Sequence, residues 1–283
     1  NPHRIDVAAT KRLIAEKLPE LLVFGRSVIV HTEPVKEIAD FIHAEFGRDN
    51  PGRPFIMYDG AHVLGLLGPH FQEPLKEGAD VVTGSTHKTF FGPQRGLVLS
   101  DIAPGSAFES LWDFIESRTF PGHVSNHHLG TMLGLLGASY EMLRFQDDYP
   151  RQVIENAKAF ARALHDEGLE IEGDADCDFT ETHQVLLRTA RAKGEHVADL
   201  LEANNVITNP QAFHDDPSFS AASGVRMGTQ EMTRYGMKAD DFRALAALIA
   251  EIVRKGEDER DDFRREAVRS FRAGFTEMHY CLG

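Results

Sequence analysis

Residues 79–96 read Ala79-Asp80-Val81-Val82-Thr83-Gly84-Ser85-Thr86-His87-Lys88-Thr89-Phe90-Phe91-Gly92-Pro93-Gln94-Arg95-Gly96. The apolar run 79–83 predicts a buried strand, and the polar residues after it predict a loop that holds a single lysine, Lys88. Lysine is rarely buried without a partner. A desolvated lysine amine can lose its proton and form a Schiff base with an aldehyde. The ordinary alternative for a single lysine is a solvated loop residue, so the surrounding sequence has to decide between the two.

A second predicted strand end lies upstream of Lys88. The segment Phe55-Ile56-Met57-Tyr58-Asp59-Gly60-Ala61-His62 is a short apolar run that ends in an acid, a small residue and a histidine. The spacing between Asp59 and Lys88 leaves room for one helix, so both strand ends could face one crevice outside the carboxyl edge of an open α/β sheet. Pyridoxal phosphate enzymes need this pair, because the lysine holds the cofactor and the carboxylate keeps the pyridine nitrogen protonated.

Alternating strands and helices indicate an α/β fold with a mostly parallel, doubly wound sheet. The predicted strands of this part are Leu21–Phe24, Phe55–Tyr58, Asp80–Thr83 and Gly96–Leu99. The predicted helices are Val7–Leu18, Pro34–Phe46, Asn126–Phe145 and Pro150–Leu164. From Leu169 the pattern changes to strand-like segments at Glu181–Arg188, Val206–Thr208 and Gly224–Met227, with helices at Gly194–Ala203 and Ala239–Val253. We therefore expect a large domain over residues 1–148 and a smaller C-terminal α+β domain over 149–283.

The composition excludes some classes of protein. The chain has 283 residues, of which 42% are hydrophobic and 26% charged, and this is typical of a globular protein. A net charge of −14 argues against binding to nucleic acid or to anionic membranes. The two cysteines, Cys177 and Cys281, give no disulfide framework, so a reducing cytoplasm is expected. No apolar run approaches the length that spans a membrane.

Several motifs resemble those of one known family. The segments Asp59-Gly60-Ala61-His62 and Thr83–Thr89, the latter followed by Gly92-Pro93-Gln94-Arg95-Gly96, are similar to the strand end and the lysine loop of serine hydroxymethyltransferase. Two more similar segments follow in the same order, Phe120-Pro121-Gly122 and Ser223-Gly224-Val225-Arg226-Met227-Gly228-Thr229. The family belongs to the fold-type I pyridoxal 5'-phosphate enzymes of the aspartate aminotransferase superfamily. The resemblance therefore implies that fold and that cofactor.

The resemblance also implies roles for individual residues. It makes Lys88 the residue that holds the cofactor and Asp59 the partner of the pyridine nitrogen, and it places His62 near the phenolic oxygen of the ring, as a catalytic and cofactor-binding group. Arg226 would bind the substrate carboxylate. The other implied cofactor contacts are Ser27, near the cofactor at a strand end, and Ser85 and His87, which could bind the phosphate or orient Lys88. Each has a plainer alternative: a hydrogen-bonded core histidine for His62, a turn serine for Ser27 and a surface ion pair for Arg226.

The sequence also departs from the family pattern. After Phe120-Pro121-Gly122 the family has a glycine-rich segment that approaches the cofactor phosphate across a dimer interface, whereas this chain has His123-Val124-Ser125-Asn126-His127. The family's folate-contacting segments are also altered, at 185–192 and around 208–211. The resemblance implies a homodimer that makes or breaks the Cα–Cβ bond of serine, threonine or glycine. The acceptor is either a folate-borne one-carbon unit or an aldehyde, as in the folate-independent threonine transaldolases.

Two other hypotheses come from the same residues. Lys88 lies so near the start of the chain that the N-terminal part of the family's large domain is expected to be absent, and a non-catalytic fragment is then an alternative. The second is hydrolysis at a metal site built from Asp59, His62 and His87, with the Asn126-His127-His128 cluster nearby, since aspartate and histidine ligate zinc. This second hypothesis leaves Lys88 and Arg226 without a role, so no metal is assigned to the site.

Overall fold

The computed structural model describes residues 1–256 and 262–282 and contains two compact units. The first comprises Arg4–Ser27 and Thr32–Arg144, and the second comprises Asn1–His3, Val28–His31 and the chain from Phe145 onward. The chain therefore passes from one unit to the other close to the predicted boundary at 148/149. The domain assignment itself stays a prediction, because a domain is defined by independent folding and a compact unit only by its contacts.

The first unit is built on a four-stranded sheet with strand order β1-β2-β3-β4. Its strands are β1 (Leu21–Phe24), β2 (Phe55–Asp59), β3 (Val81–His87) and β4 (Phe91–Ser100). Its helices are α1 (Val7–Lys17), α2 (Val35–Phe46), α3 (Pro74–Glu77), α4 (Glu109–Ser117) and α5 (Leu129–Arg144). The first three strands are parallel to one another and β4 is antiparallel to β3. The mostly parallel sheet predicted from the sequence is confirmed.

The course of β3 differs from the prediction. The polar residues 84–87 belong to the strand and not to a loop, because they pair with β4 in the register Gly84 to Leu97 and Ser85 to Gly96. The ladder is irregular between Ser85 and His87, where the Thr86 hydroxyl donates to the carbonyl of Pro93 at 2.6 Å. Pairing with a neighbouring strand thus overrides the polar character of this segment, and Lys88 directly follows the strand.

A buried ion pair joins the amino ends of β2 and β3. The guanidinium of Arg53 donates to both carboxylate oxygens of Asp80, at 2.9 and 2.5 Å, and the side chains are 3% and 10% exposed. The same carboxylate accepts the backbone N–H of Ile56 at 2.7 Å. Arg53 also lies over the ring of Phe108, 4.4 Å from its centroid. These contacts secure the edge of the sheet opposite to the one where Asp59 and His87 end their strands.

The second unit is an α+β structure with an antiparallel sheet of strand order β5-β6-β8-β7. Its strands are β5 (Glu170–Ile171), β6 (Gln184–Arg188), β7 (Asn209–Gln211) and β8 (Gly224–Gly228). Its helices are α6 (Asp148–Asp166), α7 (Gly194–Ala203), α8 (Gln230–Arg234), α9 (Ala239–Lys255) and α10 (Asp262–Arg272). Its main apolar core includes Phe160 of α6, Val225 of β8 and Phe242 of α9. None of the described helices is long and apolar enough to cross a membrane.

The strand predicted at Val206–Thr208 is wrong by three residues. The strand in this part of the chain is Asn209–Gln211, which pairs with the first residues of β8. Asn205 adopts a left-handed conformation, with φ of 67°, and the N–H of Val206 donates to the carbonyl of Leu201. The end of α7 therefore takes the backbone donor that a strand at Val206 would have needed for its ladder.

Candidate active site

The carboxyl ends of β1 and β2 approach each other closely beside Asp59. Phe24 lies opposite Tyr58 in the parallel register, and Asp59 lies opposite Thr83 of β3. Gly25 has φ of 92°, and a Cβ atom there would be 2.2 Å from the carbonyl oxygen of Asp59. Only glycine fits at that contact, because any side chain would collide with backbone. The chain turns there and reaches Ser27, which is exposed.

The Asp59 carboxylate is held by the turn that follows it. Its Oδ1 accepts the backbone N–H of Ala61 at 3.0 Å, and the N–H of Gly60 donates to the carbonyl of Thr83 at 2.7 Å. The first contact is the hydrogen bond by which aspartate side chains commonly stabilise turns. The side chain is half-buried at the end of its strand, so the turn fixes a negative charge at the carboxyl edge of the sheet.

Lys88 lies in the tight connection between β3 and β4, and this connection is attached to the segment that carries His62. Thr89 is fully buried, and its hydroxyl donates to the His62 carbonyl at 3.0 Å and accepts the N–H of Gly65 at 3.1 Å. A Cβ atom on Gly65 would be 2.3 Å from the carbonyl oxygen of Thr89, so the two segments are in backbone contact. Lys88 and His62 are both half-buried.

A cavity of about 1120 Å³ opens at the same edge of the first unit. Its lining includes Asp59, Ala61 and Ser85 together with residues of β4, α4 and α5. The structure therefore brings Asp59 and Ser85 together around one space. The other predicted site residues of this unit are outside the described lining, namely Lys88, His62, His87 and Ser27. His87 is the last residue of β3 and is exposed.

Two cavity residues, Arg95 and Trp112, are given no role by the sequence argument, and a third, His128, enters it only as part of the histidine cluster near the hypothetical metal site. Arg95 donates from Nε to the hydroxyl of Thr131 at 2.8 Å and from a terminal nitrogen to the carbonyl of His128 at 2.9 Å. Its place inside the Gly-Pro-Gln-Arg-Gly segment was a signal that could have identified it. Trp112 and His128 reach the cavity only through the folding of α4 and of the segment before α5. No local pattern marks Trp112, and the Asn126-His127-His128 cluster pointed to a metal and not to this cavity.

Arg226 lies on β8 in the second unit. Its side chain is half-buried, and a terminal nitrogen donates to Oε1 of Gln211 at 3.4 Å. Burial lowers the pKa of the Arg226 guanidinium from its ordinary value, because removal from water disfavours the charged form. Arginine nevertheless remains protonated in proteins. A partly desolvated cation of this kind gains more from an anionic ligand than a solvated one does.

The metal hypothesis for Asp59, His62 and His87 finds no support in the described residues. The one cluster of three His, Cys, Asp or Glu side chains found there with ligand atoms close enough to share an ion consists of His31, Cys177 and Glu181.

Comparisons with known proteins identify the family of the chain. The family model for serine hydroxymethyltransferase matches residues 1–249. The chain is 41% identical over 280 residues to a serine hydroxymethyltransferase of Archaeoglobus fulgidus, covering 98% of this chain and 60% of that protein. It is also 41% identical over 282 residues to the one of Methanosphaera stadtmanae, covering 98% and 62%. The crystal structure of L-threonine transaldolase from Pseudomonas fluorescens in its internal aldimine state superposes with a TM-score of 0.84 at 30% identity, covering 99% of this chain and 62% of that one.

The chain belongs to the serine hydroxymethyltransferase family and has the α/β fold of the fold-type I transferases. It spans about 60% of the length of the curated relatives it matches.

Proposed function

We propose that this chain carries the lysine and carboxylate part of a pyridoxal 5'-phosphate enzyme that makes or breaks the Cα–Cβ bond of a small β-hydroxy amino acid. The observation that carries the proposal is the position of Asp59. Asp59 is the last residue of β2, and its carboxylate accepts the Ala61 N–H. It lines a cavity that Ser85 also lines. The turn with Lys88 directly follows the neighbouring strand β3.

The residues present fit the cofactor. A pyridine nitrogen needs a fixed anion to stay protonated, and Asp59 supplies one at the carboxyl edge of the sheet, where α/β proteins bind ligands. When bound, the cofactor supplies an electron sink for the carbanion left by Cα–Cβ cleavage. In this proposal Lys88 would hold the cofactor and then release it to the substrate amine, which frees the lysine amine, and Arg226 would bind the substrate carboxylate as a two-pronged donor.

The remaining predicted residues have supporting roles in the proposal. His62 contacts the cofactor ring region, and its main chain is fixed by Thr89 of the Lys88 turn. Ser85 lines the cavity and is a candidate donor to the phosphate. Ser27 and His87 stay proposed cofactor contacts on the ground of family membership alone.

Covalent trapping tests the proposal. The purified protein is incubated with pyridoxal 5'-phosphate, reduced with borohydride, digested and mapped by mass spectrometry. We expect the label on Lys88, little label after Lys88→Ala, and unchanged labelling after Lys76→Ala. Lys76 is the matched control because it is an exposed lysine of α3 that pairs with Glu73. Labelling spread evenly over surface lysines, with no loss in the Lys88→Ala variant, would contradict the proposal.

A second candidate function is threonine transaldolase activity with an aldehyde acceptor. It is favoured by the altered folate-contacting segments at 185–192 and 208–211 and by the similarity to the Pseudomonas fluorescens structure. A product assay separates the two candidates: threonine with an aromatic aldehyde against serine with tetrahydrofolate. Turnover of neither pair by a protein that is labelled at Lys88 would favour the third alternative, a non-catalytic fragment.

We also propose that the protein forms a homodimer and acts in the cytoplasm. Support for the dimer comes from family membership and from an apolar surface on α5, where Leu129 is 68% and Leu133 is 69% exposed. Apolar patches of this kind commonly mark protein interfaces. Light scattering on the purified protein tests it, and a monomer at micromolar concentration that still labels at Lys88 would refute it.

A further inference from the structure

A cluster of three ligand-type side chains in the second unit has no part in the proposed function. His31 Nδ1 is 3.0 Å from a carboxylate oxygen of Glu181 and 3.6 Å from the sulfur of Cys177. All three ligand atoms lie within 4.8 Å of one another. The His31 side chain is fully buried, whereas the Glu181 side chain is 30% exposed, so the cluster has a closed side and a side open to solvent.

The backbone holds the histidine and the carboxylate in place before any ligand binds. The N–H of Glu181 donates to the carbonyl of Val30 at 2.7 Å. The hydroxyl of Thr182 donates to the carbonyl of Ile29 at 2.7 Å, and the N–H of Ile29 donates to the side chain of Gln184 at 2.9 Å. The two residues before His31 are therefore tied to Glu181 and to the residues that follow it. Because the backbone already fixes these residues, the site needs little reorganisation to bind a ligand.

Cys177 is positioned by a separate turn. It ends a short 3-10 helix over Ala175–Cys177, and the next two residues, Asp178 and Phe179, have left-handed φ values of 58° and 69°. The N–H of Phe179 donates back to the carbonyl of Asp174 at 2.8 Å. This turn reverses the chain so that the sulfur faces His31.

We propose that His31, Cys177 and Glu181 form a binding site for a divalent zinc-type cation, separate from the Lys88 site. An imidazole nitrogen, a thiolate and a carboxylate are the ligands that zinc uses, whereas magnesium and calcium prefer oxygen alone. Ligands about 2.0–2.3 Å from a tetrahedral zinc ion lie roughly 3.3–3.8 Å apart. The observed separations from the histidine are close to these values, so small side chain movements suffice. The cysteine thiol releases its proton to solvent when the ion binds.

The environment of His31 sets the expected strength of the site. Coordination through Nδ1 places the proton on Nε2, and within the described residues that buried nitrogen has no hydrogen-bond partner. Zinc-bound histidines usually donate this proton to a second group, and loss of that contact weakens binding 10- to 100-fold. Three protein ligands leave a fourth position for water on the side of Glu181. We therefore expect an exchangeable site, weaker than a four-ligand structural zinc site.

Cobalt(II) is a suitable probe, because it replaces zinc and reports thiolate ligation by a charge-transfer band in the near ultraviolet. Titration of the metal-free full chain is expected to give the band with one cobalt per chain, and added zinc is expected to remove it. Cys177→Ser should abolish the band, and Glu181→Gln should weaken cobalt binding about tenfold. The matched control is Cys281→Ser, since Cys281 is the other cysteine and should leave the band unchanged.

The outcomes separate this site from the proposed cofactor site. The band should persist in Lys88→Ala, and the borohydride label at Lys88 should persist in Cys177→Ser. Far-ultraviolet circular dichroism of each variant checks that it is folded, and both substitutions at the cluster fall on partly exposed side chains. Absence of the band in the wild-type chain, or its persistence in Cys177→Ser, would overturn the proposal.

Discussion

Replacing Thr89 by valine keeps the shape of a fully buried side chain and removes its hydroxyl. That hydroxyl donates to the His62 carbonyl at 3.0 Å and accepts the Gly65 N–H at 3.1 Å. The substitution therefore leaves two backbone groups without this partner, one of them on the buried Gly65. It also breaks the direct connection between the turn of Lys88 and the segment of His62.

The expected cost follows from these two contacts. An unsatisfied buried donor or acceptor costs about 1–3 kcal/mol, so removal of both contacts should lower the free energy of unfolding by roughly 2–6 kcal/mol. Thr89→Ser is the matched control, because it keeps the hydroxyl and loses only a methyl group, at about 1 kcal/mol. With a urea dependence of about 2 kcal/mol per molar, Thr89→Val should lower the unfolding midpoint by roughly 1–3 M.

Trp112 fluorescence during urea unfolding measures this change. It is the only tryptophan of the chain and lies in α4 of the same unit as Thr89. We further expect borohydride labelling at Lys88 to fall in Thr89→Val more than in Thr89→Ser, because the turn of Lys88 loses its anchor. Equal unfolding midpoints for Thr89→Val and Thr89→Ser would refute the reasoning. Loss of the hydroxyl would then cost no more than loss of the methyl group.

Two further predictions concern charged groups. Asp80→Asn should lower the free energy of unfolding by about 3–5 kcal/mol in urea titrations, because Arg53 stays buried without its counter-ion. Asp40→Asn removes an exposed pair with Lys36 and should shift the urea midpoint far less, because water screens such pairs. Equal shifts for the two substitutions would contradict the role of burial. Glu172→Gln should lower the free energy of unfolding by about 1–2 kcal/mol at pH 6, because the ionised carboxylate accepts a hydrogen bond from His3. This hydrogen bond is the largest of the contacts that lower the pKa of the Glu172 carboxyl below its ordinary value of 4.5. A carboxyl whose pKa is lower in the folded state than in the unfolded state stabilises the folded protein at pH values above its unfolded-state pKa. The stability difference between wild type and Glu172→Gln should therefore be full above about pH 4.5 and vanish as the pH falls through the folded-state pKa. A stability difference that grows on acidification would contradict this sign.

Much of the candidate site was predictable from the sequence because its motifs are local. Asp59 ends one strand and Lys88 directly follows another, and strand ends can be identified from apolar runs and the small or polar residues after them. The helices α1, α2 and α7 were also predicted closely, since their spacing of apolar residues is regular. The extent of β3 was not, because its polar half is stabilised by pairing with β4 and carries no apolar pattern of its own.

The sequence by itself determined the family, the alternation of strands and helices, and the residue types available for the chemistry. Tertiary structure alone decided that Arg95, Trp112 and His128 line the same cavity as Asp59, and that His31 meets Cys177 and Glu181. The physical reason is the range of the interactions. Strand and helix formation depends on neighbours a few residues apart, whereas these groups come together only when distant segments pack, and periodicity carries no information about such contacts.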